Sequence, residues 1–343
     1  MNLKEIKISA RERMKGFCSL CKECNGVACQ GQVPGMGGLN SAESFKRNYE
    51  SLKNVRIVMS ALHDVKEPDT SWELWGKKFE LPFITAPVTG NAINMGGYLT
   101  EDQYCDVVVE GSLMAGSMAM IGDSGNPSFY EAGLHSISKK EGNGIAIVKP
   151  RENEKIIENI KRAEKVNSFA VGMDIDGAGL ITMNLMGQPV SPKTKDELKE
   201  VIESTDLPFI VKGIMSVKDA IMAKEAGAKA IIVSNHGGRV LDYCLGSADV
   251  LPSIARELKG ELTILVDGNV RHGSDIFKYI ALGADAVLAA RPIIWGAYGN
   301  GRDGVKTVIQ DLKNSLYQTM ILTGAKTLKD ITEDKIVNLN IIK

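Results

Sequence analysis

From about residue 80 onward, short apolar runs alternate with stretches in which apolar residues recur every three or four positions. The runs are Leu81–Pro87, Ser112–Ile121, Ile145–Val148, Phe169–Asp174, Pro208–Val211, Ala230–Val233, Thr263–Val266 and Ala286–Ala290. They are rich in Ile, Val and Ala and lack strict alternation, the pattern of parallel strands covered on both faces. The stretches between them read as helices. Ser216-Val-Lys-Asp219 is a capping-box start whose helix stops at Gly227, and Ser247–Leu258 and Gly273–Leu282 carry the helical spacing. Eight strand–helix units in file predict an α/β fold, a closed (β/α)8 TIM barrel with right-handed crossovers. An open doubly wound sheet has the same alternation, but no GxGxxG follows an early strand to support it.

Residues 1–80 break the rhythm. They hold a basic helix start, a cysteine- and glycine-rich stretch, a predicted helix over Ser41–Lys53 and a connecting segment. We read them as an N-terminal extension packed on a barrel of residues 81–325, closed by a helix over 302–323 and followed by a polar tail, 326–343. Lys and Arg (41) nearly balance Asp and Glu (42), so no basic excess points to nucleic acid or an anionic membrane. No run approaches the roughly 18 apolar residues of a spanning helix, and the opening Met1–Phe17 has no apolar core of signal-peptide length. The expectation is a cytoplasmic protein whose six cysteines are thiols or metal ligands rather than structural disulfides.

In such a barrel, function collects where the strands end. The fifth run leads into Lys212-Gly213, the sixth into Ser234-Asn235-His236-Gly237-Gly238-Arg239, the seventh into Asp267-Gly268-Asn269-Val270-Arg271 and the eighth into Ala290-Arg291-Pro292. The last two predict a phosphate site. Gly268 lets backbone approach an anion, Arg271 and Arg291 supply charge, and Pro292 suits the first turn of a helix whose N–H groups face a ligand. His236 can take a proton near neutral pH, and Arg239 can fork onto a carboxylate. The plainer alternatives are two surface arginines, a structural histidine, a solvated strand-end lysine at 212, an Asp176 that only caps a helix and a Pro87 that only turns the chain.

The segments SNHGGRVLD, VKGIMSVKDA, VDGNVR…ALGADAVLAARP and ITAPVTG resemble, in order over roughly residues 80–325, those of the FMN-dependent α-hydroxy acid dehydrogenase/oxidase family. The resemblance implies an enzyme with FMN as cofactor that oxidises a small 2-hydroxy acid to a 2-oxo acid, passes electrons to flavin N5 and then to an unnamed acceptor, and assembles as a homo-oligomer. It implies His236 as general base, Asp176 as its orienting carboxylate, Lys212 near flavin N1 and Arg239 on the substrate carboxylate. Pro87, Val88 and Thr89 would line N5, with Gly122 beside them. Ser234 would touch the ring edge and Asp267 the ribityl hydroxyls. Gly268, Asn269, Arg271, Ala290 and Arg291 would surround the phosphate.

The chain also departs from that family. The Gln and Tyr usual on the third strand are replaced by Ile145-Ala-Ile-Val-Lys149-Pro150, which places Lys149 as a cation for the ring or the substrate. A second substrate arginine is missing where Gly177-Ala-Gly-Leu180 stands, and an N-terminal tyrosine has no counterpart. These losses favour either a different 2-hydroxy acid or non-redox, isomerase-like chemistry on the same FMN barrel. Cys18, Cys21, Cys24 and Cys29 precede a glycine-rich stretch, Gly31–Gly38, that reads as a lid over the barrel mouth. Free thiols, a zinc or iron–sulfur site and redox-active thiols in a flavin- or metal-binding sensor all remain open for the four cysteines; no metal ligand is assigned.

Overall fold

The structure, a computed structural model, describes residues 1–340; the last three positions of the predicted tail lie outside the described residues. Eight parallel strands close into a barrel: β1 (Phe83–Thr85), β2 (Met118–Ile121), β3 (Ile145–Val148), β4 (Ala170–Asp174), β5 (Phe209–Ile214), β6 (Ala230–Val233), β7 (Thr263–Val266) and β8 (Ala286–Ala289). β8 returns to β1 with Val287 opposite Phe83 and Ala289 opposite Thr85. The (β/α)8 barrel is the fold, and the open sheet is excluded.

The absence of alternation in the strands has a direct cause, because both strand faces are cores. Ile84, Met120, Ile147, Ile210, Ile232 and Leu288 join a cluster inside the barrel. Their neighbours Phe83, Ile121, Val148, Val211, Val233 and Val287 join the cluster between strands and helices. The hairpin Trp72–Leu74/Lys77–Phe79 contributes Leu74 and Phe79 to the inner cluster, and Trp75 stacks on Phe169 just before β4 at 5.8 Å. This plugs the N-terminal end of the barrel and leaves the C-terminal end for chemistry.

Three boundaries differ from the sequence reading. The run Ser112–Ile121 is not one strand: Ser112–Met114 finish the helix Glu101–Met114, and a left-handed Gly116 (φ +71°) turns the chain into β2. Apolar continuity concealed that break. The run Leu81–Pro87 holds only the three-residue β1. The polar tail is ordered where it is described: Ile336–Asn338 pairs antiparallel with Val55–Ile57. The closing helix runs Arg291–Ile321 but breaks at Asn300 and Gly301, so its second half is the predicted one.

The extension positions the barrel mouth. Helix α1 (Leu3–Arg13) starts at an Asn2–Glu5 capping box and lies on the closing helix, where Arg13 donates to the Tyr298 carbonyl at 2.7 Å. Helix α2 (Glu43–Lys53) docks on the end of β6. There Asn48 Nδ2 donates to Asn235 Oδ1 at 2.7 Å, both residues being buried. Gly238 makes this docking possible, since a Cβ there would lie 2.5 Å from the Phe45 nitrogen.

Candidate active site

Lys212 ends the regular part of β5, where the register with β6 shifts between Lys212 and Ile214. The shift is built on Gly213 at φ +99°. A Cβ on Gly213 would lie 2.6 Å from Cβ and Cγ of Asp176. Glycine therefore lets the 3-10 turn Ile175–Gly179 bring Asp176 against the strand end. His236 is held left-handed (φ +58°), ahead of Gly237 and Gly238 at +65° and +76°. A non-glycine residue in that region carries about 1–2 kcal/mol of strain, which persists only where surrounding structure imposes it.

These turns bring together the three predicted catalytic residues. His236 Nδ1 lies 3.0 Å from Asp176 Oδ1 and 3.5 Å from Lys212 Nζ. Nε2 makes no hydrogen bond to the described residues. Lys212 donates to Asp174 Oδ1 at 2.8 Å and lies 4.0 Å from Asp176 Oδ2, which has no hydrogen-bond partner. Burial raises the Asp176 carboxyl, and Asp174 beside it adds to the rise. Burial opposes the Asp174 charge too, but Lys149, Lys212 and His236 hold that carboxyl well below the usual range. Burial also opposes the Lys212 charge, and Asp174, Asp176 and Asp267 outweigh it and raise the ammonium. Ligand-type atoms of Asp174, Asp176 and His236 fall within 4.8 Å of one another, yet the cation among them is the Lys212 ammonium.

Replacing Gly213 by alanine is expected to push Asp176 off His236 and to strain a left-handed position. A displacement of that order costs about 10²-fold in turnover, and the strain about 1–2 kcal/mol in stability. Steady-state kinetics and denaturant unfolding of the variant check both.

The predicted flavin residues form two groups. At the ring end, a Cβ on Gly122 would meet Thr89 Cγ2 at 3.1 Å and Pro87 Cβ at 3.6 Å, so Gly122 lies directly against the Pro87–Thr89 segment. Buried Ser234 donates to both Asp267 oxygens at 2.9 and 2.8 Å, and burial raises the Asp267 carboxyl. At the other end, Gly268 (φ +130°) has no room for a Cβ: Tyr279 Oη would be 2.9 Å away and Ser247 Oγ 3.0 Å. Asn269 Oδ1, Arg271 Nε and Trp295 Nε1 are buried without a partner, and all three residues line a cavity of about 400 Å³ with Cys24, Tyr49 and Lys278. Buried polar atoms are normally satisfied. Two unpaired donors beside Arg271 and Lys278 fit an oxyanion, and the hydroxyl-binding Asp267 between the two groups fits a polyol. The residues present therefore fit FMN. Ala290 N-caps the closing helix, and Pro292 is in its first turn, as predicted.

Three predicted residues have other partners than expected. Lys149 pairs with Asp174 rather than standing free for ring or substrate, and its backbone N–H is held by Asp123, which forms a buried ion pair with Arg151. Arg239 is gripped by the glycine-rich stretch: Nη1 donates to the carbonyls of Gly35 and Gly37, and Nη2 to Asn94 Oδ1 at 3.0 Å. Arg291 donates to the carbonyls of Met36, Gly37 and Gly237 and lies 3.8 Å over the Phe45 ring. Neither arginine has a carboxylate partner among the described residues. Burial pushes the Arg239 guanidinium down to about 10.

Asp174, Asn94 and Trp295 were missed by sequence reasoning. The doublet Asp174-Ile-Asp176 offered a signal for the first, since both carboxylates follow one strand; the other two offered none. All six cysteines are free, and among the described residues no three of them bring their sulfurs within 4.8 Å of one another. Cys24 accepts from Arg271 Nη2 at 3.3 Å. Burial opposes its ionisation, but Arg271 and Arg291 outweigh this and lower the thiol. Burial raises Cys18 and Cys29.

Comparison with known proteins agrees with this geometry. The sequence model of the family described as FMN-dependent dehydrogenase matches residues 35–184 and 138–338. The chain is 30% identical over 334 residues to the peroxisomal (S)-2-hydroxyacid oxidase GLO3 of Arabidopsis thaliana, covering 88% of this chain and 90% of the relative. It is 28% identical over 330 residues to an L-lactate oxidase of Lentilactobacillus hilgardii, covering 88% of each. A crystal structure of mandelate oxidase with benzoyl-formic acid superposes with a TM-score of 0.78 at 26% identity, over 98% of this chain and 97% of that one. A mandelate oxidase variant with a C4a-OH-FMN adduct superposes at 0.75, 25% identity, over 97% and 98%. The two family matches together span all but the ends of the chain, and His236, Asp176 and Lys212 meet at the mouth of its barrel: this chain belongs to the FMN-dependent dehydrogenase family.

Proposed function

We propose that the chain oxidises a 2-hydroxy acid to the 2-oxo acid at the C-terminal mouth of its barrel. The observation that carries this is Arg239: a half-buried guanidinium at the same strand end as His236, held by neutral acceptors only. Enclosed charge is normally paired, and a substrate carboxylate completes the pairing. The relatives named 2-hydroxyacid oxidase and L-lactate oxidase support the substrate class.

When bound, FMN supplies the two-electron acceptor. Pro87, Val88, Thr89, Lys212, Ser234 and Asp267 would hold its ring and ribityl chain, and Gly268, Arg271, Ala290 and Arg291 its phosphate. Arg239 binds and orients the carboxylate. His236 takes a substrate proton at Nε2 and becomes an imidazolium, and Asp176, at 3.0 Å from Nδ1, holds the ring and stabilises that charge. Lys212 would stand near flavin N1, where its positive charge favours the negative charge that the ring takes on with the electrons. The six free thiols suit a cytoplasmic, reducing setting, no described helix is long and apolar enough to cross a membrane, and exposed Ile181, Leu185, Leu241 and Tyr243 suit self-association into a homo-oligomer.

Anaerobic addition of glycolate, lactate and mandelate to the flavin-loaded protein tests the reading. We expect one of them to bleach the flavin absorbance, and an Arg239→Met variant to need at least about tenfold more acid for the same rate, the loss of one charge-assisted contact. Flavin that stays oxidised with every acid, together with turnover lacking net electron transfer, would point instead to isomerase-like chemistry.

A further inference from the structure

Asn94 joins three parts of the chain that are distant in sequence. Its Oδ1 accepts from Arg239 Nη2 at 3.0 Å and from the Gly35 N–H at 3.2 Å, and its Nδ2 donates to the Thr89 carbonyl at 3.2 Å. The turn that carries it is pinned. Glu101 accepts from the backbone of Gly90 and Asn91 at 3.0 Å each, and a Cβ on Gly90 would lie 2.9 Å from Asn94 Nδ2. Gly35–Gly38 are buried, and Gly37 lies so close to the Cys29 carbonyl that a Cβ would be 1.9 Å from it. The glycine-rich stretch is thus pressed against the barrel mouth, with its carbonyls on Arg239 and Arg291 and its Gly35 amide on Asn94.

We propose that Asn94 is a positioning residue that couples closure of the Gly31–Gly38 stretch to the aim of Arg239 at a substrate carboxylate. The inference rests on the reading of Arg239 as the carboxylate-binding residue. Three neutral acceptors fix the guanidinium: the Gly35 and Gly37 carbonyls on Nη1 and Asn94 on Nη2. No acceptor among the described residues is bonded to Nε. An amide oxygen orients the fork without cancelling its charge, so the charge remains for the substrate. A carboxylate at position 94 would be nearly isosteric but would cancel it.

The test uses the FMN-loaded protein, Asn94→Asp, Asn94→Ser and Arg239→Met. The probe is oxalate, which has carboxylates but no oxidisable hydroxyl, titrated by calorimetry. Amide exchange over Gly35–Gly38 is measured in parallel. Wild type should bind oxalate and Arg239→Met should not. Asn94→Asp should bind at least about tenfold more weakly, and Asn94→Ser should also bind more weakly while Gly35–Gly38 exchange faster. If wild type and Arg239→Met bind alike, the Arg239 reading itself fails. If Arg239→Met loses oxalate but Asn94→Ser keeps wild-type affinity and wild-type exchange, the Arg239 reading stands and the role of Asn94 is overturned. Should Asn94→Asp fail to fold, Asn94→Ser alone decides.

Discussion

His236→Gln should lower turnover of a 2-hydroxy acid by about 10²–10⁴-fold, the usual contribution of a positioned general base, while FMN stays bound. The imidazole is the titratable group whose second nitrogen is left for substrate, and it is placed by a strained turn that ordinary packing does not require. The residues that fit FMN phosphate lie at the ends of β7 and β8 and meet the His236 loop through the Gly237 carbonyl on Arg291, not through the His236 side chain, so flavin content should not follow turnover. Flavin absorbance of the purified variant and its rate of anaerobic bleaching check the two halves separately. A variant that bleaches within tenfold of wild type would move the base elsewhere.

Asp174→Ala should cost about 3–5 kcal/mol in stability, the effect of removing one partner from a buried ion pair. Asp174 is 3% exposed and Lys212 likewise, and the carboxylate is shared with Lys149. Without it, the buried Lys212 ammonium loses its hydrogen-bonded counter-charge, and the half-buried Lys149 loses its only partner among the described residues. The pH dependence follows in sign. The folded-state carboxyl lies well below its unfolded value of about 3.9. Its contribution is therefore full above that value and is lost as pH falls from there toward the folded-state value. Denaturant unfolding from neutral pH into acid should show wild type losing stability over that window, with a flatter acid limb for the alanine variant. A wild-type-like midpoint for Asp174→Ala would mean that the two lysines find other partners.

Some readings rested on local chemistry and held. The strands were legible because a run covered on both faces must be apolar at every position, and His236, Gly237 and Gly238 form a contiguous turn whose conformation is local. Boundaries were less legible. Ser112–Ile121 is apolar throughout because a helix end and a strand are both buried there, and only Gly116 marks the junction. Ile336–Asn338 looks like tail in one dimension because the strand that satisfies its backbone, Val55–Ile57, is at the other end of the chain.

By itself, the sequence determined eight buried strands in file and pointed to a barrel, placed His236, Asp176, Lys212 and Arg239 at strand ends, and marked with glycine and arginine an end suited to a phosphate. Each of these depends on residue type within a few positions. Only the tertiary structure decided which charges meet. It spent Lys149 on Asp174, made Asp174 the hub of two lysines, set Cys24 against Arg271 and laid Gly35–Gly38 over Arg239 and Arg291. Such pairings join residues far apart in the chain, about 200 in the case of Arg239 and Gly37. Charge and hydrogen bonding act through space over a few ångströms, so no periodicity or spacing along the chain carries them.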